Sequence, residues 1–178
     1  MSMKNIKYHT KRRNIKKFRI FYDKSSEANV PSVKEALEDA FGVVTGEEIQ
    51  LDVAEVKGAY NTNRMQYDAS KLLNYLIRYT SRARSKEPSL CLWVIGDDLY
   101  VQGMNFVFGV AQQGKAAVLS THRLDSLDLI KKEAIHEMGH VLGLQHCDNY
   151  CVMQFSNSLY EAKKKPAKLC DRCRALLT

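Results

Sequence analysis

The stretch of sequence that decides the fold reads His136-Glu137-Met138-Gly139-His140-Val141-Leu142-Gly143-Leu144-Gln145-His146. His136 and His140 are four residues apart, so on a helix their imidazoles project from one face. Two imidazoles in this arrangement can bind one zinc ion at about 2.0–2.1 Å. Glu137 comes one step further round the helix, where a carboxylate can reach a metal-bound water. The spacing predicts a metal-bearing helix over Leu127–Leu142.

The end of this stretch supplies a third predicted ligand. Gly143 stands where the chain must leave the helix, and glycine tolerates the left-handed conformation that such an exit uses. The turn lets His146 fold back as a third nitrogen ligand, which leaves one zinc position open for water. Glu137 would then act as the general base that takes a proton from this water. His9 and His122, the remaining histidines, are not predicted as ligands.

The cysteines predict a second metal site. Four of the five form two short-spaced pairs separated by a loop: Cys147 with Cys151, and Cys170 with Cys173. Such pairs are typical of a closed structural zinc site with four thiolates, although iron also suits soft sulfur ligands. Two disulfides are the rival interpretation, and they would require an oxidising compartment. Cys91 lies in an apolar run and is predicted to be a small buried hydrophobe.

The histidine motif, the four cysteines and Met153 together resemble the archaemetzincins, a branch of the metzincin metallopeptidases. Three further segments look like this family, namely 60–67, 99–109 and 155–158. The resemblance implies that Met153 forms the Met-turn, a methionine packed beneath the zinc histidines. From the residues alone, Met153 could equally fill the core. The resemblance also implies two zinc ions, one catalytic with three histidines and one structural with four cysteines.

A coarse reading of periodicity predicts one α/β domain with a mostly parallel sheet, because strands alternate with helices. Strands are predicted at Lys17–Tyr22, Glu48–Val56, Leu90–Ile95, Asn105–Ala111 and Ala116–Ser120. Helices are predicted at Pro31–Phe41, Asp68–Lys86, Leu127–Leu142 and, as a short C-terminal helix, Lys168–Leu177. The family resemblance implies a metzincin-like twisted mixed sheet in which Asn105–Ala111 is an antiparallel edge strand bordering the cleft.

The net charge of +7 is concentrated at one end of the chain. Residues 1–19 hold eight basic residues and no acidic one, and basic and acidic residues nearly balance in the remainder. We therefore predict a basic N-terminal arm over 1–16 and a catalytic domain over 17–178. A solvated arm accounts for this charge better than a nucleic-acid surface does. Without a secretory signal or an apolar run long enough to span a membrane, the chain is predicted to be cytoplasmic and monomeric.

Two functions fit these residues. The first is a zinc peptidase, an endo- or aminopeptidase, that acts on peptides or unfolded protein. The second is a zinc-dependent module that binds peptides or partners with little or no turnover. Glu137 favours the enzyme, because a purely structural site has no need of a carboxylate beside its first ligand. Astacins carry a Tyr two residues after the Met-turn methionine, and Phe155 stands there in this chain, which leaves Tyr160 and Asn157 as weak candidates for a second electrophile.

Overall fold

The computed structural model describes residues 17–82 and 89–177, so the predicted basic arm lies outside the described residues. Eight strands are formed: β1 Lys17–Tyr22, β2 Val44–Gln50, β3 Tyr60–Asn61, β4 Gln66–Asp68, β5 Ser89–Ile95, β6 Leu99–Tyr100, β7 Gly109–Gln112 and β8 Ala116–Ser120. The α-helices are α1 Val30–Phe41, α2 Ala69–Arg82, α3 Leu127–Val141, α4 Leu159–Lys164 and α5 Asp171–Ala175. Two short 3-10 helices span Lys24–Asn29 and Val53–Glu55.

The main sheet has five strands in the order β2-β1-β5-β8-β7. The pairs β1 with β2, β1 with β5, and β5 with β8 are parallel, and β7 pairs with β8 antiparallel. The predicted parallel sheet with an antiparallel edge strand is therefore confirmed. Strand β5 is central and buried on both faces, which explains why its sequence is a continuous apolar run.

Hydrophobic cores cover both faces of this sheet. Alternate residues of β5 point to opposite sides, so Leu92 and Val94 pack in the core formed with α1 and α3. Trp93 and Ile95 pack in the core formed with α2. Asp68 accepts hydrogen bonds from the backbone N–H groups of Ser70 and Lys71 and thereby caps α2. The predicted last residues of this helix, 83–86, lie outside the described part of the chain.

The predicted strand Glu48–Val56 is wrong in its bounds. Strand β2 begins earlier and ends at Gln50, and a 3-10 helix follows it. Asp52 accepts a hydrogen bond from Ala54 N at 2.8 Å, which turns the chain out of the sheet. Leu51 and Val53 remain buried, because they pack from this turn onto the α2 side of the sheet. The alternating apolar residues of the sequence therefore extend beyond the strand, which is why the predicted strand ended too late.

Two other predicted segments are shorter than expected. The strand predicted at Asn105–Ala111 is regular only over β7, and an isolated bridge joins Val107 to Leu99 before it. The C-terminal helix spans Asp171–Ala175 rather than Lys168–Leu177. The small sheet β3-β4-β6 and helix α4 were not predicted, because segments of two to six residues carry too little periodicity. No helix within the described ranges is long and apolar enough to cross a membrane.

Candidate active site

Helix α3 carries the first two histidines of the motif, and His146 follows after its end. Ser126 caps its start by accepting a hydrogen bond from Leu129 N at 3.3 Å. Most of the helix is buried, because it packs between α1 and strands β7 and β8. Gly143, with a φ of 101°, ends it in the left-handed region. The chain then turns back, and Leu144 N donates to Gly139 O at 2.9 Å.

The structure brings the three predicted histidine ligands together. One ring nitrogen from each of His136, His140 and His146 lies within 4.8 Å of the others, and the Nε2 atoms of the first two are 3.1 Å apart. His136 Nδ1 is 2.9 Å from Val152 O, and His140 Nδ1 is 2.8 Å from Leu144 O. A carbonyl only accepts, so each Nδ1 carries the proton and each Nε2 is left free for a metal.

The electrostatics of the three imidazoles suit a metal ligand. Burial lowers the pKa of His136 well below its usual value and also lowers the pKa of His140 and His146. Burial disfavours the charged form and so favours the neutral imidazole that zinc requires. The donor set therefore fits a zinc ion with three nitrogen ligands and one open position.

Glu137 lies on the same helix, facing strand β7. Its side chain is buried, and this burial, with a smaller contribution from Glu133, raises its pKa to about 8. Lys165 acts in the opposite direction and lowers the pKa of Glu137. Gly109, the first residue of β7, leaves room for the carboxylate, since a Cβ there would lie 2.7 Å from Glu137 Cδ. The predicted catalytic residue thus has its position set by the edge strand.

Substituting Gly109 by Ala is expected to displace the Glu137 carboxylate. The new methyl group would overlap Glu137, and a displacement of about 1 Å in a catalytic group can cost about 100-fold in rate. Peptide hydrolysis by the Gly109→Ala variant, measured as kcat with zinc content and melting temperature in parallel, checks this. Gly46→Ala is the matched control, because its Cβ would meet only Phe18 O at 3.6 Å. Wild-type kcat in Gly109→Ala would show that the carboxylate tolerates the displacement.

Met153 is buried directly against α3. A Cβ at Gly139 would overlap Met153 Sδ, so the methionine sulfur occupies the space that this glycine leaves between the two helical histidines. Its neighbour Val152 provides the carbonyl that orients His136. Cys147 N donates to Met153 O at 3.0 Å, which joins this turn to the chain following His146. Met153 therefore lies where a Met-turn residue would support the histidines.

The four paired cysteines form a second cluster, whose sulfur atoms also lie within 4.8 Å of one another. Cys147 Sγ and Cys170 Sγ are 3.8 Å apart, and the cysteines of the described residues are all free. Met153 N and Cys170 N donate to Cys151 Sγ at 3.5 and 3.3 Å. Burial raises the pKa of Cys151, and these two donors oppose that rise. The cluster therefore has the reduced sulfur donors that the predicted structural zinc site requires.

The pKa values of the thiols in this cluster are shifted in opposite directions. The backbone N–H of Cys173 lowers the pKa of Cys170 to about 6, despite some opposing desolvation. Burial raises the pKa of Cys173, and hydrogen bonds with the neighbouring thiols raise it further. Four thiolates at this separation repel one another, so a bound cation is needed to ionise them together. Cys91 lies apart in β5, and burial raises its pKa to about 11, as expected of an inert core thiol.

A cleft of about 250 Å³ opens beside the histidines. Strand β7 and the segment before it form one wall, and residues 155–157 face them. The ring of Phe155 lies 4.9 Å from that of His146, measured between centroids, and it has no hydroxyl to offer. Asn157 lines the cleft, whereas Tyr160 is exposed and is not among the lining residues. His122 is likewise not among the residues that line the cleft.

Sequence reasoning missed an ion pair in this cleft. Lys165 Nζ lies 2.8 Å from Glu133 Oε1, and both side chains are almost fully buried. Glu133 precedes Glu137 by four residues, so helical spacing could have placed it on the same face. Lys165 follows α4 and carries no local signal that would have indicated its position.

The fold and this site define a class of protein. Two histidines of helix α3 and a third from the turn after it cluster beside an antiparallel edge strand, above a buried methionine. These are the features expected of a metzincin zinc metallopeptidase from the sequence resemblance.

The comparisons agree with this class. The model of Peptidase family M54 matches residues 21–178. An archaemetzincin from Nanoarchaeum equitans is 44% identical over 142 residues, which are 79% of this chain and 78% of that protein. The crystal structure of an archaemetzincin from Methanopyrus kandleri has a TM-score of 0.79 and 33% identity, and the match covers 93% of this chain and 95% of that one. The archaemetzincin structure from Archaeoglobus fulgidus has a TM-score of 0.77 and 36% identity, with 89% and 98% covered. The chain therefore belongs to Peptidase family M54 and is a zinc metallopeptidase.

Proposed function

We propose that this peptidase hydrolyses peptide bonds at a zinc ion held by His136, His140 and His146, with Glu137 as the general base. The observation that carries the proposal is the convergence of three ring nitrogens within 4.8 Å. A zinc ion bound there would supply Lewis acidity, polarising the scissile carbonyl and lowering the pKa of a water. Glu137 accepts the proton of the attacking water and passes it to the leaving amine.

The buried residues around the histidines keep their geometry fixed. Val152 O and Leu144 O orient His136 and His140. Gly109 lets the Glu137 carboxylate approach the edge strand, and Met153 supports α3 from below at Gly139. These contacts hold the base and the ligands in place before the substrate arrives, which is how positioning lowers a barrier.

Strand β7 provides a place for the substrate backbone. It is an outer strand of the five-stranded sheet, and Gly109, Val110 and Ala111 line the cleft. An extended peptide can pair with such an edge as an added strand. Because the substrate must be extended, we propose that peptides and unfolded protein segments are cleaved in preference to folded domains.

The four-cysteine cluster is proposed to hold a second, structural zinc ion. Its support is the grouping of four free thiols with N–H donors to Cys151 Sγ. The same requirement for reduced cysteines supports a cytoplasmic location. Thiol titration of freshly isolated protein checks this, since disulfides within the cluster would contradict it.

Metal removal tests the proposed activity. Zinc-loaded protein is expected to cleave members of an unbiased peptide library, and cleavage should fall below detection after chelation and return when zinc is added back. Mass spectrometry of the products also separates endopeptidase from aminopeptidase cleavage. Cleavage that survives removal of the zinc would contradict the proposal. Tight peptide binding with no products would instead identify a binding module.

A further inference from the structure

The ion pair in the cleft has unused hydrogen-bonding capacity. Lys165 is 2% exposed and lines the cleft, and its ammonium contacts Glu133 Oε1 at 2.8 Å. The other polar atom nearby, His136 Nδ1, is 3.5 Å from Nζ. This nitrogen already donates its proton to Val152 O, so it cannot also accept one.

An ammonium group has three N–H donors, and Glu133 Oε1 lies 2.8 Å from Lys165 Nζ as an ion-pair partner but is without a hydrogen bond among the described residues. Buried polar groups in proteins are nearly always hydrogen-bonded. The N–H donors of Lys165 and the buried Oε1 of Glu133 therefore form a polar end to an otherwise largely apolar cleft. A ligand with oxygen atoms can accept hydrogen bonds from this ammonium group.

The charges around the cleft favour an anionic ligand. Lys165 is the one Lys or Arg among the cleft-lining residues of the described chain, and Glu133 and Glu137 are the acidic ones. The zinc ion of the proposed function adds two positive charges to these side chains. The walls on the β7 side are largely apolar, with Phe106, Val107 and Phe108. A charged group of a ligand that enters from this side loses its water. A direct hydrogen bond to a charged side chain therefore stabilises it strongly.

We propose that Lys165 forms a subsite that accepts a carboxylate of the peptide substrate, either from an Asp or Glu side chain or from the C-terminus. The carboxylate oxygens take the free N–H donors of Lys165, while Glu133 holds the ammonium in place from the other side. Glu133 is thus a positioning residue, and Lys165 determines specificity. The inference rests on the proposed function, because it names the substrate class of the same cleft.

The first arm of the test compares peptides that differ at one position. A cleaved peptide is prepared with Glu, Gln, Leu or Lys at each position flanking the scissile bond in turn. At one position, Glu should raise kcat/KM about 10-fold or more over Leu and Gln, as expected for a charge-assisted hydrogen bond. Peptides with a free or amidated C-terminus separate the two sources: a preference for the free acid alone identifies the terminal carboxylate.

The second arm uses variants of the ion pair. Lys165→Met alone would leave Glu133 buried without a partner and destabilise the fold, so Lys165→Met is combined with Glu133→Leu. In this double variant the preference for Glu should fall to less than about 2-fold. Lys164→Met is the matched control, because Lys164 lies in the same segment but faces solvent over the Tyr160 ring. This control should retain the wild-type preference.

The third arm measures binding without turnover. Zinc-loaded Glu137→Gln protein is titrated with fluorescently labelled Glu, Gln and Leu peptides, and Kd should be about 10-fold lower for the Glu peptide. This binding measurement is informative even if the wild type cleaves nothing. Failure of the proposed activity and failure of the subsite are therefore distinguishable. Equal Kd values for the three peptides would overturn the subsite. A Glu preference that persists in Lys165→Met/Glu133→Leu would also overturn it.

Discussion

Replacing Glu137 by Gln is expected to lower kcat for peptide hydrolysis by about 10²–10⁴-fold, the usual contribution of a general base. Gln has nearly the same shape, so it fits the space beside Gly109, yet its amide cannot take a proton from water. The zinc content and the melting temperature should remain close to those of the wild type, because Glu137 is not one of the clustered ligands. Steady-state kinetics with metal analysis of the same samples measures both.

Glu27→Gln is the matched control for this prediction. Glu27 is exposed in the first 3-10 helix, far along the chain from the motif, and its substitution should leave kcat unchanged. Glu137→Gln with a kcat within 10-fold of the wild type would exclude Glu137 as the general base. The Glu137→Gln sample also identifies contaminating protease, whose activity would be the same in both preparations.

Replacing Cys173 by Ser is expected to release both zinc ions and to destabilise the fold. Binding of structural zinc contributes on the order of 10 kcal/mol in small zinc domains. This chain also has two hydrophobic cores, so part of the fold should persist, with an unfolding free energy lower by at least about 3 kcal/mol. For a domain of this size, that loss lowers the melting temperature by roughly 6–12 °C.

The catalytic zinc should be lost with the structural one because the two clusters share a short loop. Cys147 immediately follows His146, and Val152, whose carbonyl orients His136, immediately follows Cys151. When the thiol cluster opens, the backbone that holds two of the three histidines is no longer fixed. Metal analysis should find less than one zinc per chain in Cys173→Ser.

Two controls separate this coupling from general instability. Cys91→Ala alters a buried cysteine of β5 that lies outside the cluster, and it should retain two zinc ions per chain. His146→Ala should lose one zinc ion and retain the other, since the four thiols remain. If Cys173→Ser is stable and still holds zinc at the three histidines, the two sites are independent.

The two clusters of candidate metal ligands could be predicted from sequence because their members are close together in the chain. His136 and His140 share one helical turn, and His146 follows after a glycine whose left-handed conformation the structure contains. The two members of each cysteine pair are likewise only three or four positions apart. Geometry at this range depends on helix periodicity and turn chemistry, which the local sequence encodes. The antiparallel edge strand, by contrast, was supplied by resemblance rather than by periodicity.

The rim of the cleft shows why the rest could not be predicted. The predicted strand at 105–108 is instead an irregular segment, whose carbonyls are held by side chains from far along the chain. Arg64 donates to Met104 O and Asn105 O at 2.8 and 2.9 Å, and Gln66 also donates to Asn105 O at 2.9 Å. Asp98 accepts from Gln66 at 2.9 Å and thereby orients it. Hydrogen bonds between residues about 40 positions apart in the chain produce no periodic pattern in the sequence.

The sequence by itself determined the two groups of candidate metal ligands, the class of fold and the helix that carries His136 and His140. These follow from short-range spacing and from the apolar pattern of each element. Only the tertiary structure decided that Gly109 makes room for Glu137, that Met153 fills the space left by Gly139, and that Lys165 meets Glu133 in the cleft. Each of these contacts joins elements that only the packing of the sheet against α3 brings together. The floor and walls of the cleft are therefore a property of the packed fold.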